Sequence, residues 1–256
     1  MIKSKIEGLA DEISSALSKG TDNATREASN IISDMGSGIS DFFEFIDGRG
    51  GLQEWIENNR LLEGRPFSYK NADVKMEVGD FDTKLANAPR PYLTQYINDP
   101  CHDKSVIKCR QSEFTVNEIN ENIYLCATRP YTNVSHIFPT GGMAEKMARE
   151  KISVALEKSP RIARLIRKPF SIRSKTFLNS SIYTVDSSYT DYQGRGPSRD
   201  KITFDEYEIQ NPQIEDIYSE STSHSPLGKK TRISTPKFPD SGIDGRFKKG
   251  CVERVP

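Results

Sequence analysis

Two adjacent acids, Asp205 and Glu206, follow a run of β-branched and aromatic residues in "KITFDEYE". Such a run predicts a strand, and the ligands of an open α/β sheet collect beyond the carboxyl ends of its strands. In a nucleotide hydrolase built this way, the first acid would hold Mg²⁺ and the second would orient and deprotonate the attacking water. The same two acids would also suit a helix N-terminus, where the dipole favours negative charge. Taken alone, the stretch leaves both interpretations open.

A nucleotide site also needs a phosphate-binding turn, which we expect on a strand next to the one that ends in the two acids. The stretch "SVIKCRQSEFTVNE" predicts a strand, a polar turn and a helix that begins near Thr115, whose unpaired amide groups would attract phosphate. It departs from GxxxxGK[ST], because it has no glycine, no lysine before Thr115 and an added negative charge at Glu113. Lys108 and Arg110 supply the cations. The alternative is a helix-capping threonine beside two surface cations.

The hydroxyl pair Ser234 and Thr235 lies near the end of the chain, in "RISTPKFPDSGI". We expect this pair to finish the strand beside that of Asp205 and to present its hydroxyls toward the nucleotide. Pro236 has no donor for a further ladder bond, so pairing stops there. A plain turn is the alternative, since Ser, Thr and Pro all favour turns.

Helices and strands alternate between these stretches. We predict strands in "SVIKC", "NVSHIFPT", "KITFD" and "TRIST", and helices in "PYLTQYIND", "FTVNEINENIYLCATRP", "MAEKMAREKISVALEKSP" and a polar segment at 213–224. A hairpin that turns at Asn179 is predicted within "SIRSKTFLNSSIYTVDSS". Alternation of this kind implies right-handed crossovers and an α/β domain with a mainly parallel sheet and helices on both faces.

Composition limits the classes of function. The 256 residues carry 36 Lys and Arg against 36 Asp and Glu, so binding to a polyanion requires a local patch. No run approaches the roughly 18 apolar residues of a membrane helix, and we expect no membrane association. The four cysteines have no zinc-like spacing, which fits a reducing cytoplasm. The three histidines, His102, His136 and His224, have no metal-ligand spacing, and we interpret them as structural or surface residues.

Three regions are predicted along the chain. Residues 1–39 carry a narrow apolar stripe on charged helices and form a helical arm, either solvated or bound to a partner. Residues 40–250 form the α/β domain, and 251–256 start a linker. We interpret Trp55 as a packing anchor for the N-terminal helices.

In this order the motifs resemble the ATPase half of a tailed-phage terminase large subunit, over roughly residues 40–250. The resemblance rests on "NNRLLEGRPFSYKN", "PYLTQYINDP", "IKCRQSEFT" as a deviant Walker A, "SHIFPTGGMAEKMAREKI", "SSYTDYQGRGPSRDKITFDEYE" leading into Walker B, and "RISTPKFPDSGID" as the coupling motif. It implies a P-loop NTPase (ASCE/RecA-like) fold preceded by N-terminal helices. It also implies hydrolysis of ATP with Mg²⁺ to drive double-stranded DNA into a procapsid.

The resemblance also assigns roles to residues. It implies that Asp205 and Glu206 are catalytic, that Asp205 and Thr115 hold Mg²⁺, and that Arg195 or Arg199 reaches a neighbouring subunit's γ-phosphate or DNA, a solvated loop being the alternative. The residues implied around ATP are Lys108, Arg110, Gln111, Ser112, Glu113, Phe114, Thr115, Ser234 and Thr235. Phe67 and Tyr69 fall where the family has adenine-side contacts, with ordinary packing as the alternative.

The implied partners are double-stranded DNA, a terminase small subunit, a portal protein and further copies of the chain in a ring, in the cytoplasm of an infected bacterial host. Nuclease activity is not expected from this chain. Two other functions remain open. One is a helicase-like translocase, because Asp-Glu-Tyr-Glu and Ser-Thr-Pro also occur in helicase motifs. The other is a non-hydrolysing fragment that binds nucleotide or DNA, for which Glu113 is the main reason.

Overall fold

The computed structural model describes residues 51–62, 64–69, 91–110, 112–188 and 198–253. The predictions for residues 1–39, Gln111 and Arg195 lie outside these residues.

The elements of the structure include the predicted strands and helices, in the predicted order. They are α1 (Gly51–Asn59), β1 (Leu61–Leu62), β2 (Arg65–Pro66), α2 (Pro91–Ile97), β3 (Asp103–Ile107), α3 (Phe114–Thr128), β4 (Asn133–Phe138), α4 (Gly141–Met147), a π-helical turn (Ala148–Ser153), α5 (Val154–Glu157), α6 (Pro160–Ala163), β5 (Ser174–Thr176), β6 (Ile182–Ser187), β7 (Lys201–Asp205), a 3₁₀ turn (Tyr207–Ile209), α7 (Pro212–Glu220), β8 (Lys229–Ser234) and α8 (Gly242–Glu253). The elements β1, β2, α6 and α8 are additional to those predicted. Because α8 runs to Glu253, residues 251–253 continue a helix where we expected a linker to start.

Six strands form the central sheet in the order β3-β8-β7-β4-β6-β5. The first five are parallel, and β5 pairs antiparallel with β6 through the hairpin predicted around Asn179. We expected the strand of the phosphate-binding turn to neighbour that of Asp205, and this is wrong: β8 lies between β3 and β7. Ile233 of β8 is in register with Val106 on one side and with Asp205 on the other. The carboxyl ends of β3, β8 and β7 therefore lie side by side at the same edge of the sheet.

Helices cover both faces of the sheet, as predicted. On one face, Ile202 and Phe204 of β7 pack with Ile137 of β4 and with Ile214 and Tyr218 of α7 in a fully buried cluster. Burying each such side chain contributes on the order of 2 kcal/mol. Side chains alternate along a strand, so the residue between Ile202 and Phe204 points to the opposite face, where α3 packs.

A buried charge cluster fixes α3 to β7. The Lys201 ammonium lies 2.8 Å from Glu118 Oε2 and 2.7 Å from Glu121 Oε2. Thr203 donates its hydroxyl to Glu118 Oε2 at 2.9 Å, and Lys229 of β8 lies 3.0 Å from Glu121 Oε1. Burial raises the pKa of Glu121, but the Lys201 and Lys229 charges lower it by more, to about 2. The helix that begins at the basic turn is thus held on the strand that ends in the acids.

A second ionic cluster ties the elements on the other face. Arg232 of β8 donates to Glu215 Oε1 of α7 from Nε at 2.8 Å and from Nη2 at 2.5 Å, and it also pairs with Asp103 of β3. Arg246 of α8 reaches Glu215 Oε2 at 3.1 Å. These contacts connect β3, β8, α7 and α8. No helix among the described ranges is long and apolar enough to cross a membrane.

Candidate functional site

Three strand ends meet at the carboxyl edge of the sheet. Lys108, directly after β3, places its ammonium 2.9 Å from Glu206 Oε1 and 3.6 Å from Asp205 Oδ1. Its backbone N–H donates to the carbonyl of Ser234, the last residue of β8, at 3.0 Å. Burial lowers the pKa of Lys108, but the two carboxylates raise it by more, so the ammonium stays charged. The structure therefore brings the predicted acids and the start of the basic turn together.

Asp205 is a buried, ionised carboxylate. Its Oδ1 accepts a hydrogen bond from the Glu206 N–H at 2.9 Å, and its Oδ2 has no hydrogen-bond partner among the described residues. Burial raises the pKa of Asp205, but His136, Lys108 and the Thr115 hydroxyl together lower it below its usual value. Asp205 Oδ2 lies 3.5 Å from His136 Nε2. An ionised carboxylate beside a threonine hydroxyl suits a divalent cation.

Glu206 has a backbone conformation that is uncommon for its residue type. Its φ is 54° and its ψ is 44°, in the left-handed region, and the 3₁₀ turn starts directly after it. Its side chain is 32% exposed, whereas that of Asp205 is 2% exposed. The second acid therefore has access to solvent, whereas the first is buried.

The basic turn ends at Glu113, the N-cap of α3. Glu113 has φ 59° and ψ 9°, a left-handed conformation for which glycine is the usual residue. Glu113 therefore adopts a backbone conformation in which a glycine would be less strained. Arg110 is exposed, whereas the Ser112 hydroxyl donates back to the Cys109 carbonyl at 2.8 Å. The first amide groups of the 15-residue helix α3 have no partner within the helix and are available to an anion.

Phe114, predicted among the ATP-binding residues, packs its ring against α2. Its ring centroid lies 5.2 Å from that of Tyr96, nearly edge-on, and 6.0 Å from that of Tyr92. A phenyl ring offers no donor to a phosphate, so only the backbone N–H of Phe114 can bind one. Lys108 and Arg110 are left as the cations of the turn.

Ser234 faces the acid turn, not the nucleotide as we expected. It is fully buried, and its Oγ accepts a hydrogen bond from the Glu208 N–H at 3.1 Å. Since its carbonyl accepts from Lys108, Ser234 bridges the basic turn and the turn after the acids. Thr235, one residue beyond β8, is half-buried and could still present its hydroxyl to a ligand.

Glu208 extends this connection to α8. Its Oε2 accepts from the Ile243 N–H at 2.9 Å, in the first turn of the helix. Gly242 has φ +49°, and a Cβ there would lie 2.1 Å from Glu208 Oε2. Gln210 fastens the same turn to the sheet, because its Nε2 donates to the Asp205 carbonyl at 2.7 Å and to the Ile137 carbonyl at 3.0 Å.

Comparison with solved structures identifies this architecture. The large terminase of bacteriophage HK97 aligns with 79% of the chain at a TM-score of 0.59 and 13% identity, and the large-terminase ATPase domain of Thermus phage P74-26 aligns with 57% at 0.51 and 16% identity. The chain has the fold of a phage large-terminase ATPase domain. The predicted P-loop NTPase fold is therefore confirmed. The chain spans 40% of the HK97 protein and 64% of the P74-26 domain. The sequence matches no protein-family model and no curated protein.

Sequence reasoning missed one residue that contacts Asp205. His136, interpreted as structural or surface, is fully buried on β4 with Nε2 3.5 Å from Asp205 Oδ2. Its Nδ1 lies 3.0 Å from the Tyr183 hydroxyl, and its ring stacks on Phe138 with centroids 4.6 Å apart. The available signal was an ionisable residue in the middle of the apolar strand "NVSHIF", because buried polar groups need partners.

Arg199 does not reach outward in this terminase-like fold. It is buried, its Nε donates to Ser135 Oγ at 2.7 Å, and its guanidinium lies 4.6 Å from the centre of the Tyr218 ring. The expectation that it contacts a neighbouring subunit or DNA is therefore wrong for this conformation. Asp186, 3.8 Å from its Nη2, is its acidic neighbour.

The aromatic residues upstream have packing roles, which was the alternative given for Phe67 and Tyr69. Both are buried, and their ring centroids lie 4.8 Å apart. Tyr69 donates its hydroxyl to Asn117 Oδ1 at 2.8 Å, on α3. Trp55 is also buried and contacts the Tyr124 ring edge-on at 5.5 Å, as expected for a packing anchor.

Proposed function

We propose that the chain is the ATPase motor of a phage large terminase, which hydrolyses ATP to drive double-stranded DNA into a procapsid. Its fold supports this function at the level of architecture. The observation that carries the proposal is the convergence of Lys108 with Asp205 and Glu206 at the carboxyl edge of the sheet. The Lys108 ammonium lies 3.6 Å from Asp205 Oδ1 and 2.9 Å from Glu206 Oε1. Ligands of open α/β sheets bind at this edge.

In this proposal the basic turn binds the phosphates. Lys108 and Arg110 supply positive charge, and the first amide groups of α3 supply donors. Gln111 and Ser112 complete the turn. The two acids contact the Lys108 ammonium. A triphosphate would offer this ammonium a larger negative charge and would draw it away from the acids.

Asp205 and Thr115 would hold Mg²⁺. The lowered pKa of Asp205, which keeps its carboxylate charged, supports this role. Within the described residues no group of three or more His, Cys, Asp and Glu side chains could hold a metal ion, so the remaining ligands would come from phosphate and water, as is common for magnesium. When bound, Mg²⁺ neutralises charge on the phosphate oxygens.

Glu206 would accept the proton of the attacking water once Lys108 has moved away. Arg195 would act as an arginine finger, placing its guanidinium near the γ-phosphate in the active site of a neighbouring copy in a ring. Ser234 and Thr235 would pass the state of the site to the rest of the domain. The proposed partners are double-stranded DNA, a terminase small subunit and a portal protein, and the proposed location is the cytoplasm of an infected bacterial host.

One set of observations favours a second candidate, a fragment that binds nucleotide or DNA without hydrolysing ATP. Glu113 brings a negative charge to the phosphate turn, and Phe114 fills the position before Thr115 with a ring. The Lys108 ammonium is already neutralised by the two acids. In this case the turn would bind nucleotide while the acids stay blocked.

ATP hydrolysis by wild type and Glu206→Gln, with and without duplex DNA, separates the two candidates. The motor predicts DNA-stimulated hydrolysis that falls by about 100-fold or more in the variant, because a general base is lost. Glu150→Gln, at an exposed glutamate in the π-helical turn, is the matched control and should keep wild-type activity. The assay should span a range of protein concentrations, since a ring supplies Arg195 from a second copy. Nucleotide binding without turnover at every concentration would support the second candidate, and strand separation would indicate a helicase.

A further inference from the structure

The strongest concentration of unbalanced charge in the described chain lies far from the nucleotide site. Residues 158–173, "KSPRIARLIRKPFSIR", contain six Lys or Arg and no Asp or Glu, in a chain whose formal net charge is zero. Five of the six are exposed, and we call them the basic strip: Lys158, Arg161, Arg164, Arg167 and Lys168. The sixth, Arg173, is turned inward and donates to the Gly141 carbonyl at 2.8 Å.

The strip belongs to an ordered segment. Ile162, Leu165 and Ile166 alternate with the cations and are buried. The Arg167 N–H donates to the Thr176 carbonyl at 2.9 Å, which joins the segment to β5. Because the apolar side chains fix the segment on the domain, the cations between them project from a rigid support.

Within the part of the chain that the structure describes, no salt bridge involves a cation of the strip. Arg161 donates only to the neutral Asn59, at 3.3 Å. Basic residues elsewhere are neutralised: Arg149 pairs with Glu145 at 2.7 Å, and Lys248 pairs with Asp240 at 2.7 Å. Exposed cations without acidic partners, on a segment anchored by buried apolar side chains, suit a surface that binds a polyanion.

The position of the strip separates it from the nucleotide. Its second half, around Arg167, adjoins β5, the edge strand at the opposite end of the sheet from β3, whereas Arg161 contacts Asn59 of α1. Five strand spacings of about 4.8 Å put the two edges about 24 Å apart. The strip therefore cannot serve the ATP bound at Lys108. An exposed row of guanidinium and ammonium groups suits the phosphates of a polymer, which arginine contacts through paired donors.

We propose that the basic strip is the surface on which this domain holds the phosphate backbone of duplex DNA. The inference rests on the proposed function, which makes DNA the polymer that is moved. Contact is with phosphates and not with bases, so binding is independent of sequence and strongly dependent on salt.

The test measures binding of the full chain to a fluorescent 30-base-pair duplex from about 50 to 200 mM salt, using Arg164→Ser/Arg167→Ser/Lys168→Ser. Losing three phosphate contacts should reduce the slope of log K against log salt by about 2 to 3, and weaken binding by about tenfold or more at 0.1 M salt. ATP hydrolysis without DNA should match wild type, because none of the three residues lies at the nucleotide site.

The matched control removes three positive charges elsewhere, as Lys230→Ser/Lys237→Ser/Lys248→Ser, and should keep the wild-type slope. The inference is overturned if the two triple variants bind alike, if wild type does not bind the duplex at the lowest salt, or if single-stranded RNA of equal length binds more tightly than the duplex. If wild type hydrolyses ATP but gives any of these binding results, the proposed ATPase function stands and only the DNA-binding role of the strip is refuted. Failure of hydrolysis in wild type would instead remove the proposed motor.

Discussion

The carboxylate of Glu208 occupies the space beside Gly242 that any larger residue would need. Glu208 lies two residues after the second acid, and Gly242 is the first residue of α8, so this contact joins the acid turn to the helix. The Glu208 N–H also donates to Ser234 Oγ, so two hydrogen bonds through Glu208 connect the end of β8 to the start of α8.

We predict that Gly242→Ala destabilises the domain by about 1 to 2 kcal/mol, since the new Cβ collides with Glu208 and the positive φ is strained. Urea unfolding measures this. Gly142→Ala is the control, because a Cβ at Gly142 in α4 would meet nothing within 4 Å. Adding Glu208→Ala to the first variant should recover part of the loss. Equal stability of the two alanine variants would show that the contact is absent.

We predict that Lys201→Met costs about 3 to 5 kcal/mol of unfolding free energy, because it leaves Glu118 and Glu121 buried without their main partner. Lys229→Met is the matched comparison. The Lys229 side chain is 22% exposed and, among the described residues, its ion pair is with Glu121, so its loss should cost much less. Denaturant titration of both variants checks this, and a comparable loss in each would contradict the role given to Lys201.

We predict that stability falls as the solution is acidified from about pH 5 to pH 2. Glu121 has a pKa of about 2 in the folded protein, below its usual value, because Lys201 and Lys229 lower it by more than burial raises it. A carboxylate with a lowered folded pKa stabilises fully above its unfolded pKa of about 4.3, and the contribution is lost as pH falls toward the folded value. Glu121→Gln should flatten the pH dependence in urea titrations. Glu150→Gln, at an exposed position, should leave the dependence as in wild type.

The local elements of this domain could be predicted because each depends on a short pattern. The run that ends at Asp205 has strand periodicity, and the segment from Phe114 has that of a helix. The strand order could not be read in the same way. The prediction that the Ser234 strand lies beside that of Asp205 is confirmed, but nothing in the sequence indicated that β8 also pairs with β3 and so separates β3 from β7.

The parts of the site that sequence reasoning missed follow from that order. Lys108 was expected to meet only phosphate, and its contact with the acids depends on how far apart β3 and β7 lie. His136 was set aside because it has no nearby partner in sequence. Its partner Asp205 comes from the adjacent strand β7, in a pairing that tertiary structure alone defines.

The measurement that tests the central claim most directly is the binding of a fluorescent ATP analogue, with Mg²⁺ and with EDTA, to wild type, Asp205→Asn and Lys108→Met. If Asp205 holds Mg²⁺ and Lys108 binds the phosphates, wild type binds more tightly with Mg²⁺, Asp205→Asn loses that gain, and Lys108→Met binds about tenfold or more weakly in both conditions. Asp186→Asn, at a buried aspartate on β6, is the control and should keep the gain. An undiminished Mg²⁺ gain in Asp205→Asn, together with unchanged affinity in Lys108→Met, would contradict the account.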